Sequence, residues 1–480
     1  LYEIHEPEAK TKQPVSPPTL TPIFEDVSSR LGHRHEQPPV DDFINDPLLP
    51  RRTSQAGPDV AWVDTDRDGW EDLVIVAEGG LQLFTNKAGR FKKMDDSPVV
   101  VPASANPIET VERVNDWAAA DLDGDGDADL ALATEWGPVR VFRNDDGQFT
   151  ERTDALGLAD YRGWWNGVAM IDANNDGRLD IVATNWGRNS FYETLLREEG
   201  GESRLALFVG DVDGNGTVEQ LEAVRVGDRW LPVRDRHALE KGLPNLRSRF
   251  PVHAAMVKAG IEGIAGPAFE RLKKMEVNHL GTTLFINHGD RFEPVPLPME
   301  VQLAPAFSVC VGDVDADGND DLFFSQNFFA VRPEDPRNDA GTGLWLLGHG
   351  DGTFRALKPS ESGVRVYGEQ RGAALADFDR DGRVDLVVTQ NAAATRLFRN
   401  QAETKGVRVS FGGEGEGVQA RLVYADGTKG PVRVVQSITQ VLGAAKVAVA
   451  VEAAWPSAEK TRVALKPGQA EVLLSYPPEP

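Results

Sequence analysis

Short apolar runs occur along this chain in pairs, and each pair is split by a turn rich in Asp and Gly: VAWVD and DLVIV, VAMID and DIVAT, ALAD and DLVVT. Apolar runs of this length bounded by turn residues predict strands, so the acidic turns are hairpin connections. About 22 residues after the start of most hairpins comes a second apolar signature, LFTN (83–86), VFRN (141–144) or LFRN (397–400), followed in two cases by Gly-x-Phe. These predict third and fourth strands. Strand, acidic hairpin, strand, LFxN strand and Phe-led outer strand together occupy about 40 to 60 residues, the size of one four-stranded propeller blade. The last LFRN lacks a Phe-led strand after it, whereas FEDVSSRLG (24–32) reads as an outer strand without a blade. Pairing these two ends closes a ring and removes exposed sheet edges.

The hairpins hold one pattern, Asp-x-Asp/Asn-x-Asp/Asn-Gly-x-x-Asp/Glu, in six copies. Position 1 is Asp64, Asp121, Asp172, Asp211, Asp313 and Asp377; position 3 is Asp66, Asp123, Asn174, Asp213, Asp315 and Asp379. Position 5 is Asp68, Asp125, Asp176, Asn215, Asp317 and Asp381, and position 9 is Asp72, Asp129, Asp180, Glu219, Asp321 and Asp385. Calcium takes six to eight oxygens, and a loop supplies them from side chains at 1, 3, 5 and 9 with a backbone carbonyl at 7. Position 7 varies freely (Trp70, Asp127, Arg178, Thr217, Asn319, Arg383), as a carbonyl ligand allows, and position 6 is Gly in every copy. About six calcium sites are therefore expected, the third and fourth weaker because Asn174 and Asn215 replace carboxylates. An EF-hand would place helices around the loop and a Glu at position 12; only the fourth copy has one, Glu222.

Two copies are stretched. Seventy-six residues separate Asp211 from Asn287 against 23 from Asp121 to Asn144, and ALEKGLPNLRSRF and PAFERLKKMEV predict a helical insertion at about 235–280, packed over one propeller face. The fifth copy carries a loop, NFFAVRPEDPRNDAGTG. Residues 1–22 read as a flexible leader, 23–403 as the propeller, and 404–480, with alternating strands and no acidic loops, as a small β-sandwich. The whole is an all-β architecture.

Lys plus Arg total 51 and Asp plus Glu 75, a net charge of −24, which argues against nucleic acid or an anionic membrane as partner. The single cysteine, Cys310, excludes internal disulfides and CxxC metal sites and reads as a core thiol. No run approaches the roughly 18 apolar residues of a membrane helix, so no membrane insertion is expected. The chain starts at Leu1 rather than Met, as expected of a processed or trimmed start.

The loops with their LFxN strands resemble the FG-GAP (VCBS) repeats of integrin alpha-subunit propellers, and GVQARLVYADG with AAWPSAEKTRVALKPGQAEVLL resembles the ASPIC/UnbV domain of the cartilage acidic protein family. The resemblance implies a seven-bladed ring, although six repeats are countable. It also implies a secreted, periplasmic or cell-surface calcium-binding protein acting in adhesion, with calcium structural.

Loops after each second strand emerge opposite the acidic hairpins and carry Glu135, Trp136, Asn185, Trp186, Arg188, Gln326, Asn327, Phe328, Phe329, Gln390 and Asn391. Segments entering the first strands add Trp164, Trp165, Tyr367, Glu369 and Arg371. Aromatic and amide groups on one rim suit a protein or glycan ligand, but plugging of blade junctions and capping of loops is the leading reading. The protein is expected to be a monomer. A second reading is a carbohydrate-active lyase or hydrolase using Glu135, Glu369 or Arg371. His33 and His35 alternate like a two-ligand metal pair without a third ligand. GxSxG, HExxH and P-loop motifs are absent. A calcium-driven switch lacks an obvious two-state element.

Overall fold

The structure, a computed structural model, describes residues 21–37, 40–54, 57–65, 68–77, 80–94, 113–197, 204–412, 417–435, 437, 439–456 and 459–475. The leader expected at 1–22 falls almost wholly outside these residues.

Five antiparallel sheets repeat the expected blade. Blade one comprises Asp59–Val63, Asp72–Ala77, Gly80–Lys87 and Arg90–Lys93; blade two comprises Val114–Ala120, Asp129–Gly137, Arg140–Asp145 and Gln148–Glu151. Blade three joins Gly167–Ile171, Asp180–Thr184, Thr283–Asn287 and Phe292–Pro296; blade four joins Ala306–Gly312, Asp321–Gln326, Leu344–Gly348 and Phe354–Ala356. Blade five takes Gln370–Ala376, Asp385–Gln390 and Arg396–Asn400 from one end of the chain and Phe24–Asp26 from the other. That closure follows the expected register, Phe24 opposite Asn400 and Asp26 opposite Phe398. First strands neighbour one another from two to three, three to four, four to five and five to one. Residues from all five blade entrances, Asp59, Asp116, Asn166, Ser308 and Gly372, line one axial pocket.

The LFxN asparagines explain why that signature recurs. Asn287 Nδ2 donates to Leu179 O of its own blade and to Leu122 O of blade two, both at 3.0 Å. Asn86 spans from Glu71 O to Phe378 O, and Asn400 from Val384 O to Val314 O. Each is buried and rivets its blade to the hairpin of the preceding one. Aromatic and aliphatic side chains fill the blade junctions, as with Trp62 stacked on Phe378.

The seven blades implied by resemblance are corrected to five among the described residues. The hairpin at Asp211 lies outside the ring: its sheet, in the order Arg229–Pro232, Glu219–Val226, Leu205–Gly210, Lys273–Val277, is inserted between the second and third strands of blade three. Helices Arg236–Glu240, Leu246–Arg249 and His253–Ala265 cover it, burying Leu239, Leu246, Met256 and Ile264 against Phe208 and Leu221. The insertion is thus a mixed sheet-and-helix unit, and KKMEV within it is a strand rather than helix, because it pairs with Leu205–Gly210.

Residues beyond 406 form two sheets over one core containing Val409, Leu422, Val451, Trp455 and Leu474. Val407–Gly412 and Glu471–Ser475 pair in parallel. This sandwich is docked on the hairpin face of the ring. Val432 N donates to Asp172 Oδ2 (3.0 Å), Gln419 Nε2 to Asp121 O (2.9 Å), and Ser437 Oγ to Glu71 Oε1 (2.7 Å).

Candidate metal centres and the opposite face

Each hairpin is wound by its own first carboxylate. Oδ2 of the position 1 Asp accepts the N–H of the position 6 Gly at 2.8 to 3.1 Å in all six copies. Those glycines have φ between 81° and 103°, a region that favours Gly over other L-residues. Position 4 is also left-handed at Gly124, Asn175, Gly214, Ala316 and Arg380. That second inversion escaped the sequence reading, since Gly stands there in only two copies. The position 9 carboxylate accepts the position 2 N–H in every copy, for example Leu122 to Asp129 (2.9 Å) and Val314 to Asp321 (2.8 Å).

This winding gathers oxygens. Carboxylate atoms of Asp121, Asp123 and Asp129 lie within 4.8 Å of one another, as do those of Asp211, Asp213 and Glu219, of Asp313, Asp315 and Asp321, and of Asp377, Asp379 and Asp385. In the third hairpin Asn174 replaces the position 3 carboxylate beside Asp172, Asp176 and Asp180, and in the first Asp66 lies outside the described residues beside Asp64, Asp68 and Asp72. The position 5 side chains Asp68, Asp125, Asp176, Asn215 and Asp317 accept the N–H of Trp70, Asp127, Arg178, Thr217 and Asn319. Asp381 is held by the guanidinium of Arg383.

Assembled oxygens of one sign are costly to bury. Burial pushes the carboxyls of Asp180, Asp313 and Asp377 up to about 7 and that of Asp172 up to about 6, and it raises Asp321 and Asp385 well above the usual range. Asp172 Oδ1, Asp379 Oδ1 and Asp381 Oδ1 are buried without a hydrogen-bond partner. A hard divalent cation with oxygen ligands fits this donor set. Arginines answer part of the charge: Arg143 reaches Asp123 and Asp129 (both 2.9 Å), Arg433 reaches Asp313 (3.2 Å) and also Asp320, and Arg408 stands 3.6 Å from Asp377.

The opposite face is largely closed. Trp136, Trp164, Trp165, Asn185, Trp186, Gln326, Asn327, Glu369, Arg371 and Gln390 are all buried, Trp164 at 0% exposure and Trp186 at 4%. Two coverings account for this. The inserted sheet places Leu205, Leu207, Met275 and Val277 against Trp136, Trp164 and Trp186. A strap from residues 40–54 brings Arg51 over the rings of Trp164 and Trp186 (4.9 and 4.6 Å) and into an ion pair with Glu135. Trp165 packs in the blade-two and blade-three core. Asn185 Oδ1 accepts from Trp164 N and Trp186 N, and Asn327 bridges Gly341 and Gly368. Glu369 pairs with Arg371 (2.7 Å) and accepts from Phe329 N and Asn391 Nδ2. These residues plug and clamp the blade junctions.

Open on that face is an axial pocket of about 290 Å³, whose wall includes Arg51, Arg113, Asp116, Glu135, Phe307 and Arg371; a second cavity of about 500 Å³ lies beside Arg51, Trp186 and Arg188. Burial pushes the Asp116 carboxyl up to about 6, and Asp59 beside it is raised for the same reason. Glu135 and Glu369, the carboxylates considered for catalysis, are each neutralised by an arginine. Burial lowers His33 to about 4; its Nδ1 meets Thr395 Oγ1 at 2.7 Å, while His35 Nδ1 accepts from Ala392 N, so the pair fastens the N-terminal segment. Cys310 is buried, its thiol pushed up to about 12 by burial.

A family model described as an FG-GAP-like repeat matches residues 64–132 and 121–183, which hold the first three hairpins. The chain carries FG-GAP-like repeats. It is similar to cartilage acidic protein 1 of Homo sapiens, 23% identical with 87% of this chain and 72% of that protein covered. The Mus musculus protein of the same name gives 23% identity over 83% of this chain and 70% of its own length. These similarities support the cartilage acidic protein family as the chain's relatives. Among solved structures, an Agrocybe aegerita lectin described as recognising non-reducing terminal N-acetylglucosamine is 18% identical over 81% of each chain, with a TM-score of 0.22, too low to bear on the fold. Among the described residues no helix is long and apolar enough to cross a membrane.

Proposed function

We propose that this protein is an extracellular or periplasmic calcium-binding β-propeller that works as a binding or adhesion module, its calcium structural. The observation that carries the reading is the recurrence of one trio, the carboxylates at positions 1, 3 and 9, within 4.8 Å in four separate hairpins. Calcium supplies the positive charge that holds such oxygens together; the chain's own part is to fix the loop through the position 1 to position 6 hydrogen bond and to anchor position 9 on the position 2 N–H. About six ions are proposed, one per hairpin. A protein or glycan ligand is proposed on the face opposite the hairpins, where the axial pocket is open.

Calorimetric titration of metal-stripped protein with calcium tests this. Several sites per chain are expected, with dissociation constants of about 10⁻⁴ to 10⁻³ M as in extracellular modules. Absence of calcium binding, or binding equally well satisfied by magnesium, rejects it.

A further inference from the structure

On the face opposite the hairpins, Glu135, Glu369 and Glu222 are each answered by an arginine, Arg51, Arg371 and Arg234. Asp59 and Asp116, on the first strands of blades one and two, meet no cation among the described residues. Asp59 Oδ1 accepts the N–H of Val60 (2.8 Å), and Asp116 accepts those of Trp117 (2.8 Å) and Val168 (3.0 Å). Both line the axial pocket of about 290 Å³, and the charge of Asp59 adds to burial in raising Asp116. Another part of the same wall has the reverse need. Arg51 and Arg113 share one carboxylate, Glu135, the second at 3.7 Å, so one positive charge is in surplus. Trp186, 4% exposed, lines the pocket with its indole N–H buried and unpartnered, and a buried donor of that kind calls for an acceptor. Phe307 and Phe328 supply apolar wall between these polar groups.

We propose that the axial pocket binds a free α-amino acid with an apolar side chain, its ammonium on Asp59 and Asp116 and its carboxylate on Arg113 and the Trp186 N–H. This rests on the reading of the face opposite the hairpins as the ligand face and gives that ligand a chemistry. A metal cation answers the two acids and leaves Arg113 and the Trp186 N–H unmet. A simple carboxylate meets the arginine and is repelled by the acids, an amine meets the acids alone, and a neutral sugar balances neither charge. A peptide carries its two charges at opposite ends of a chain, whereas a cavity at the lower limit of small-ligand pockets has room for one residue. None of these groups belongs to an acidic hairpin, so calcium saturation leaves the site unchanged.

The test is calorimetric titration of the full, calcium-saturated chain with L-leucine, then with 4-methylpentanoate and 3-methylbutylamine, which are leucine without its ammonium and without its carboxylate. Leucine is expected to bind, and each stripped analogue to bind at least about tenfold more weakly. Asp59→Asn keeps an acceptor for Val60 N and is expected to fold and to lose at least about tenfold in leucine affinity. Arg113→Gln, at a half-exposed side chain, is expected to lose leucine affinity likewise, and it carries the test if Asp59→Asn does not fold. No heat with leucine, equal binding of either analogue, or unchanged affinity in a folded variant each overturns the proposal. Any of these with the calcium sites intact strikes the amino-acid assignment alone, whereas absent calcium binding strikes the reading beneath it.

Discussion

At Asn287 one amide closes three hydrogen bonds, donating to Leu179 O and Leu122 O and accepting from Gly289 N at 2.8 Å. Truncation to Ala orphans buried backbone carbonyls on two blades, so Asn287→Ala is expected to cost about 2 to 4 kcal/mol in denaturant unfolding. Among the described residues Asn144 donates only within its own blade, to Ala128 O at 3.2 Å, and its truncation is expected to cost about 1 kcal/mol. Glycines at position 6 allow a second paired measurement. A Cβ on Gly216 (φ 85°) meets nothing within 4 Å, so Gly216→Ala is expected to cost about 1 kcal/mol, from strain alone. At Gly318 (φ 94°) a Cβ falls 2.7 Å from Ala445 N of the sandwich, and the expected cost rises to about 2 kcal/mol or more, with the sandwich loosened in limited proteolysis. The necessity of these glycines was legible in the sequence because internal copies could be compared. The rivets made by Asn86, Asn287 and Asn400 were not, since the second partner of each lies on another blade.

Among the elements, the acidic hairpins set the pH dependence. Asp180, Asp313 and Asp377 have carboxyls raised by burial to about 7, against an ordinary value of 3.8. A raised carboxyl means that the folded, metal-free protein holds its proton more tightly than the unfolded chain. The stability this gives is full below about pH 4 and is lost as pH rises through about 7. Metal-free protein is therefore expected to lose stability between about pH 4 and 7, while the melting-temperature gain from added calcium grows over the same interval. An unchanged calcium gain across that range contradicts this. The docked sandwich offers another test at this scale. Asp320 is buried with the guanidinium of Arg433 as its charged partner, so Arg433→Leu is expected to destabilise by about 3 to 5 kcal/mol. Strand pairing within blades was readable from apolar runs and turns. Docking was not, because Arg433 and Arg408 sit in ordinary strand sequence far from the acids they meet.

For the whole molecule, local pattern identified the propeller and its closure by Phe24–Asp26, because hairpin and closure chemistry are written in adjacent residues. The number of blades was not written there. The hairpin at Asp211 has the same local chemistry as the others, yet its sheet sits inside blade three, and strand order is decided by long-range packing. The same insertion, with the strap carrying Arg51, buries the tryptophans that looked like a ligand rim. Calcium binding in the hairpins is the claim on which the rest depends. If free calcium exceeds the dissociation constant by about tenfold, each independent site adds about 1.4 kcal/mol, and several sites together are expected to raise the melting temperature by at least about 5 °C. The deciding measurement is a thermal melt of one preparation in millimolar calcium and in excess chelator, with elemental analysis of the untreated protein. A fall of that size on chelation, with several calcium ions per chain, is the predicted result; coincident melts and no bound calcium would contradict it.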